Sequence, residues 1–115
     1  MSGGTVPFLA GRWSLLNLHP MMRERAAKGV MHYLGRFFYD TLVSANPHAL
    51  SSLLELVGPS QVLFGSDDPF ATPLTAARVR GLASFDGFDA PKRAAIERDN
   101  ALALLSGFRA RLERA

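Results

Sequence analysis

The chain has 115 residues, 48% hydrophobic and 20% charged with 10 Gly and 7 Pro; this suits one globular domain and excludes two domains, a disordered tail or a low-complexity array. The absence of cysteine excludes disulfides and thiolate metal sites. The net charge of +3 does not signal nucleic acid, because eleven of the thirteen basic residues are Arg, interleaved with acids as in Arg23-Glu24-Arg25 and Glu97-Arg98-Asp99.

Residues 1–11, with Gly3-Gly4, Pro7 and Gly11, read as a loop leading into an apolar stretch at Trp13-Ser14-Leu15-Leu16. Pro20 can open a helix that runs through Arg23-Glu24-Arg25-Ala26-Ala27 toward Leu34, weakened at Gly29 by about 1 kcal/mol relative to Ala. Phe37-Phe38-Tyr39-Asp40-Thr41-Leu42 is of strand type. Asn46 and Pro47 read as an N-cap and a first helical position. Leu50, Leu53, Leu54 and Val57 then fall at i, i+3, i+4 and i+7, one apolar stripe, and Gly58-Pro59 ends the helix. Val62-Leu63-Phe64 has no polar alternation and reads as a strand buried on both faces, as in a parallel sheet. A loop after Phe70 leads to a helix near 74–83. A final helix begins near Asp89-Ala90-Pro91, with Ala101, Leu104, Leu105, Phe108 and Leu112 on its apolar face.

The fold class expected is α/β with a parallel strand pair. Two such strands cannot close a core, and their outer edges would offer unpaired backbone groups. They belong in a larger sheet or barrel, so the chain alone is expected to be marginally stable or to oligomerise.

In parallel α/β folds the loops at the C-terminal ends of the strands build the site. Asp40 ends the first strand and Asp67 stands just past the second, where Gly65 and Ser66 allow a tight exit. A carboxylate held there can ligate a divalent metal or take a proton from metal-bound water. The local sequence also allows a plain alternative, since Asp beside Ser and Pro commonly caps a turn.

Val62-Leu63-Phe64-Gly65-Ser66-Asp67-Asp68-Pro69-Phe70 closely resembles the last-strand motif of the amidohydrolase-related family, hydrophobic-Gly-Ser-Asp-Tyr-Pro-Phe. That family includes aminocarboxymuconate-semialdehyde decarboxylase and other non-oxidative aromatic-acid decarboxylases. Three further stretches agree in order. Gly3 to Arg12 resembles the loop after strand six, Phe38-Tyr39-Asp40-Thr41 resembles strand seven, and Arg98-Asp99-Asn100-Ala101-Leu102-Ala103-Leu104-Leu105 resembles the closing helix with its Gly-Asn-Ala-x-x-Leu pattern.

The resemblance implies the C-terminal portion of a (β/α)8 TIM barrel, about the last two strands and their helices. It implies a metal-dependent carboxy-lyase acting on a small aromatic or unsaturated carboxylic acid, or else a hydrolase of an ester, lactone or amide. Asp67 matches the strand-eight aspartate at the divalent metal, usually zinc, and is the expected catalytic and metal-binding carboxylate. Arg12 matches an arginine that in the decarboxylase branch crosses a dimer interface to the substrate carboxylate, a task suited to a guanidinium fork; a salt bridge anchoring the loop is the alternative. Asp68 replaces the usual Tyr. Asp40 is expected to be a strand-end hydrogen-bonder rather than a catalyst, and Trp13 and Phe8 core or interface residues.

The family's His-x-His pair and strand-five His have no counterpart here, and the place of its catalytic His falls on Met1. His19, His32 and His48 lack metal-ligand spacing and are expected on the surface. The chain alone is therefore expected to bind zinc weakly and to show no turnover. A non-catalytic module that dimerises or completes a partner's barrel is the competing expectation. No apolar run approaches the roughly 18 residues of a membrane span and residues 1–7 do not resemble a secretory signal, so a cytoplasmic home is the default, with no nucleic-acid or membrane partner.

Overall fold

The computed structural model describes residues 2–42, 44–112 and 114. Ser2, Gly3 and Gly4 are all left-handed (φ +45°, +76° and +56°), and helix α1 then runs over Val6–Trp13. The loop expected to residue 11 thus ends early. Pro7 lies in the first turn, where a missing N–H leaves no bond unmade. A 3-10 turn over Ser14–Leu18 carries the apolar stretch onward.

The helix expected from Pro20 to Leu34 is two helices, α2 (Pro20–Arg25) and α3 (Val30–Leu34). Helix α2 ends at Arg25, and the interruption closes at Gly29, whose φ of +83° only glycine adopts readily. The Asn17 side-chain oxygen then accepts from the Val30 N–H at 2.9 Å and satisfies a first-turn donor of α3.

Strands β1 (Tyr39–Asp40) and β2 (Val62–Leu63) pair in parallel, with Tyr39 opposite Val62 and Asp40 opposite Leu63. Both are shorter than the apolar runs that announced them, and Phe37 and Phe38 are exposed. Between them lies α4 (Pro47–Leu54), capped by the Asn46 side-chain oxygen, which accepts from the Ala49 N–H at 3.1 Å. Leu50 and Leu53 are wholly buried and Val57 nearly so, as the stripe required.

Beyond β2, a 3-10 turn at Thr72–Leu74 leads into α5 (Thr75–Ala83). The final helix is segmented into α6 (Ala90–Ala94), a π segment over Ala95–Asp99, α7 (Asn100–Leu104) and α8 (Ser106–Leu112). Leu104, Leu105, Phe108 and Leu112 remain 46% to 56% exposed. The apolar face expected there is left largely uncovered among the described residues.

The main core is Tyr39, Leu50, Leu53, Val57, Val62, Leu82, Phe85, Phe88 and Ile96; a smaller one is Ala10, Val30 and Leu34. Val6 and Leu56 pack against both. The radius of gyration is 16.1 Å, against about 13 Å for a closely packed chain of this length. Helices are thus spread around a minimal sheet, and no helix among the described residues is long and apolar enough to cross a membrane.

The outer edges of the sheet are less open than expected. The Thr41 N–H donates to the Leu63 carbonyl at 2.9 Å, so that carbonyl faces β1. The Val62 carbonyl and Phe64 N–H therefore face the other way. Asn100 Nδ2 donates to the Val62 carbonyl at 2.8 Å, and the Phe64 N–H donates to the Ile96 carbonyl at 3.0 Å. On the far side of β1, the Ser2 N–H donates to the Asp40 carbonyl at 2.6 Å.

Candidate functional site at the strand ends

Thr41, wholly buried, joins the two strand exits. Its Oγ1 accepts from the Gly65 N–H at 3.2 Å, one step beyond the last strand bond. This draws the two exits so close that a Cβ placed on Gly65 would stand 3.3 Å from the Asp40 Cβ. Asp40 and the Gly65-Ser66-Asp67 turn are thus neighbours, as a site at the strand ends requires. The Asp40 carboxylate accepts from the Leu42 N–H at 2.9 Å, the strand-end role expected of it. Beside it lies a cleft of about 320 Å³ lined by Gly3, Gly4, Phe38, Tyr39 and Asp40. The Tyr39 hydroxyl donates to the Leu34 carbonyl at 2.8 Å, and burial raises its pKa above the usual phenol value. A larger cleft, lined by Arg98, Asp99, Leu102, Arg109 and Leu112, contains none of these strand-end residues.

The adjacent carboxylates Asp67 and Asp68 divide two roles. Asp68 serves the turn: its Oδ1 accepts from the Thr72 hydroxyl, and its N–H donates to Ser66 Oγ at 3.3 Å. The Asp67 carbonyl accepts from the Ala71 N–H at 2.9 Å, but its half-buried carboxylate has no hydrogen bond or ion pair among the described residues. Turn-capping therefore accounts for Asp68 and leaves Asp67 available.

Asp67 is also left-handed, with φ +62°, a conformation that costs an L-residue other than Gly about 1–2 kcal/mol. The preceding carbonyl, that of Ser66, accepts from Nη1 of Arg78. Arg78 is 5% exposed on α5, and a hydrogen bond from a charged group contributes about 1.5–3 kcal/mol. The two magnitudes are comparable, so the bond can offset the backbone cost. Arg78 was not singled out in the sequence, although its spacing carries a signal. Thr75, Arg78 and Leu82 lie at i, i+3 and i+7, so an arginine occupies the stripe that a core-facing helix buries.

Arg12 lies exposed in the last turn of α1, with no ion pair or hydrogen bond from its side chain among the described residues. The loop-anchoring salt bridge considered for it is not formed. Trp13 is half-buried against the smaller core, whereas Phe8 is 85% exposed and belongs to neither core. His19, His32 and His48 are exposed, as expected. Met1, the place of the expected catalytic His, lies outside the described residues.

Among the described residues no three His, Asp or Glu side chains gather to hold a metal ion. Zinc takes three or four protein ligands, while Asp40 and Asp68 are turned to backbone and hydroxyl donors. Asp67 alone does not fit a zinc site.

A family model described as amidohydrolase matches residues 15–107. A 6-methylsalicylic acid decarboxylase of Penicillium expansum is 38% identical over 71 residues, covering 61% of this chain and 22% of that protein. A crystal structure of an amidohydrolase II superposes with a TM-score of 0.73 at 26% identity, over 91% of this chain and 33% of its own. The apo IDCase of Metarhizium anisopliae gives 0.64 at 29% identity, over 91% and 32%. The chain thus spans about a fifth of the relative (22%) and a third of the solved structures (33% and 32%), which are TIM barrels.

Proposed function

Because this chain belongs to the amidohydrolase family, we propose that it forms the C-terminal portion of a (β/α)8 decarboxylase, with β1 and β2 as its last two strands. The substrate class is a small aromatic or unsaturated carboxylic acid. The observation that carries the site is the Asp67 carboxylate, held at the exit of β2 and without a partner among the described residues while Asp68 secures the turn. The choice of reaction rests on the relative named 6-methylsalicylic acid decarboxylase.

The family generally uses a divalent metal. In this reading a divalent metal, zinc, would supply charge stabilisation near the scissile carboxylate, and Asp67 would be one of its donors beside others from the remainder of the barrel. Loss of carbon dioxide leaves an electron pair on the substrate carbon, which then takes up a proton. Arg12, exposed and unpaired among the described residues, is proposed to hold a substrate carboxylate across the interface of a cytoplasmic homodimer.

A chimera tests this reading, with the chain replacing the matching third of the IDCase barrel. Expected is carbon dioxide release from a panel of aromatic carboxylic acids, reduced about 100-fold or more by Asp67→Asn. Ester or lactone hydrolysis without carbon dioxide release would overturn it in favour of a hydrolase.

A further inference from the structure

We propose that Arg78 is the positioning residue of the Asp67 loop, a latch that keeps Asp67 left-handed by holding the peptide before it. The Ser66 carbonyl and the Asp67 N–H belong to one rigid plane. Rotating that plane by half a turn changes φ of Asp67 by about the same amount and carries it from +62° to a negative, ordinarily allowed value. The same rotation turns the Ser66 carbonyl away from Arg78. Nη1 of Arg78 donates to that carbonyl, so the bond and the flipped peptide exclude each other.

The latch is itself held firmly. Arg78 is 5% exposed, and a Cβ on Gly81, one turn further along α5, would meet the Ala45 carbonyl oxygen at 2.0 Å. Gly81 thus lets α5 seat directly against the Ala45 backbone, an approach that a side chain there would prevent. Nη2 of Arg78 and Oγ1 of Thr75, a turn apart on α5, are both buried without a partner. A guanidinium kept there at the expense of one unmade bond is explained by what its other nitrogen secures.

That the held conformation presents a working carboxylate rests on the reading of Asp67 given above; the latch itself does not. The test is backbone NMR of the full chain and of Arg78→Lys, Arg78→Gln and Arg78→Met, reading the Cα, Cβ and amide shifts of Ser66, Asp67 and Asp68. The expected result is a left-handed signature at Asp67 in the parent, its retention with Lys, weakening with Gln and loss with Met, while the shifts of Leu50 and Val62 stay in place. Retention of the signature in Arg78→Met, or its absence from the parent, overturns the latch. If Arg78→Met does not fold, the Gln variant decides: shifts equal to the parent's overturn the proposal. Neither metal nor substrate enters the measurement, so the latch can fail while the decarboxylase reading stands, and the reverse.

Discussion

Gly81 faces the carbonyl oxygen of Ala45 so closely that a Cβ built on it would stand 2.0 Å from that oxygen. The obstacle is backbone, in the turn just before the α4 cap, and cannot swing aside as a side chain could. Gly81→Ala is expected to destabilise by about 3 kcal/mol or more through overpacking. Gly11 in α1 has nothing within 4 Å of its Cβ position, and Gly11→Ala is expected to stabilise by about 0.5–1 kcal/mol. Denaturant midpoints of the two variants check the pair.

The adjacent carboxylates should respond oppositely. Asp67→Asn removes no bond formed within the described residues, so stability should stay within about 0.5 kcal/mol. Asp68→Ala removes the acceptor of the Thr72 hydroxyl and should cost about 1 kcal/mol. A larger stability loss for Asp67→Asn than for Asp68→Ala would show that Asp67, and not Asp68, is the turn-former.

Asn100 Nδ2 donates to both the Pro59 and Val62 carbonyls, each at 2.8 Å. Asn100→Leu would leave the Val62 carbonyl unpaired at about 1–3 kcal/mol, while the Pro59 carbonyl keeps its bond from the Val62 N–H. Asn100→Asp should be worse, since a carboxylate accepts only and would face two carbonyl oxygens. Thermal melts of both variants, with Asp below Leu and Leu below the parent, are the expected order.

Two described groups have shifted pKa values with local consequences for stability. Asp89 has a lowered pKa, chiefly because its carboxylate accepts from the Lys92 N–H at the start of α6. A lowered folded pKa means stability that is present above the unfolded value and lost as pH falls through the folded one. The fraying of α6 in acid should therefore disappear in Asp89→Asn. Tyr39 has a raised pKa from burial, so its contribution is complete below the unfolded value and is lost as pH rises through the folded one. Alkaline loosening of β1 should be absent in Tyr39→Phe. Residue-resolved NMR titration reads both.

Local chemistry made parts of this fold legible in the sequence. Asn46-Pro47 with Leu50, Leu53 and Val57 specified a capped, one-faced helix, and the chain formed it because every signal lay within three turns. The parallel pair and the Asp67 exit were legible for the same reason. The helix expected from Asp89 through Leu112 is not one piece, because a π segment interrupts it at Ala95–Asp99 and the chain turns at Leu105. Residues 6–11 misled through their glycines and proline, which mark loops on average but suit a first helical turn when Pro stands at its start. Arg78 and Thr41 were missed because their partners, Ser66 and Gly65, are distant in sequence and adjacent only after the strands pair.

The seal on β2 also bears on how this sheet could grow. A strand arriving at that side finds two of the ladder groups already taken, since the Val62 carbonyl is held by Asn100 and the Phe64 N–H by Ile96. It can add only after α7 and the π segment let go, so growth is an exchange reaction with an internal opening step. At high partner concentration its rate should level off at the rate of that opening. Random edge-to-edge polymerisation, which needs a bare ladder, is disfavoured by the same two bonds.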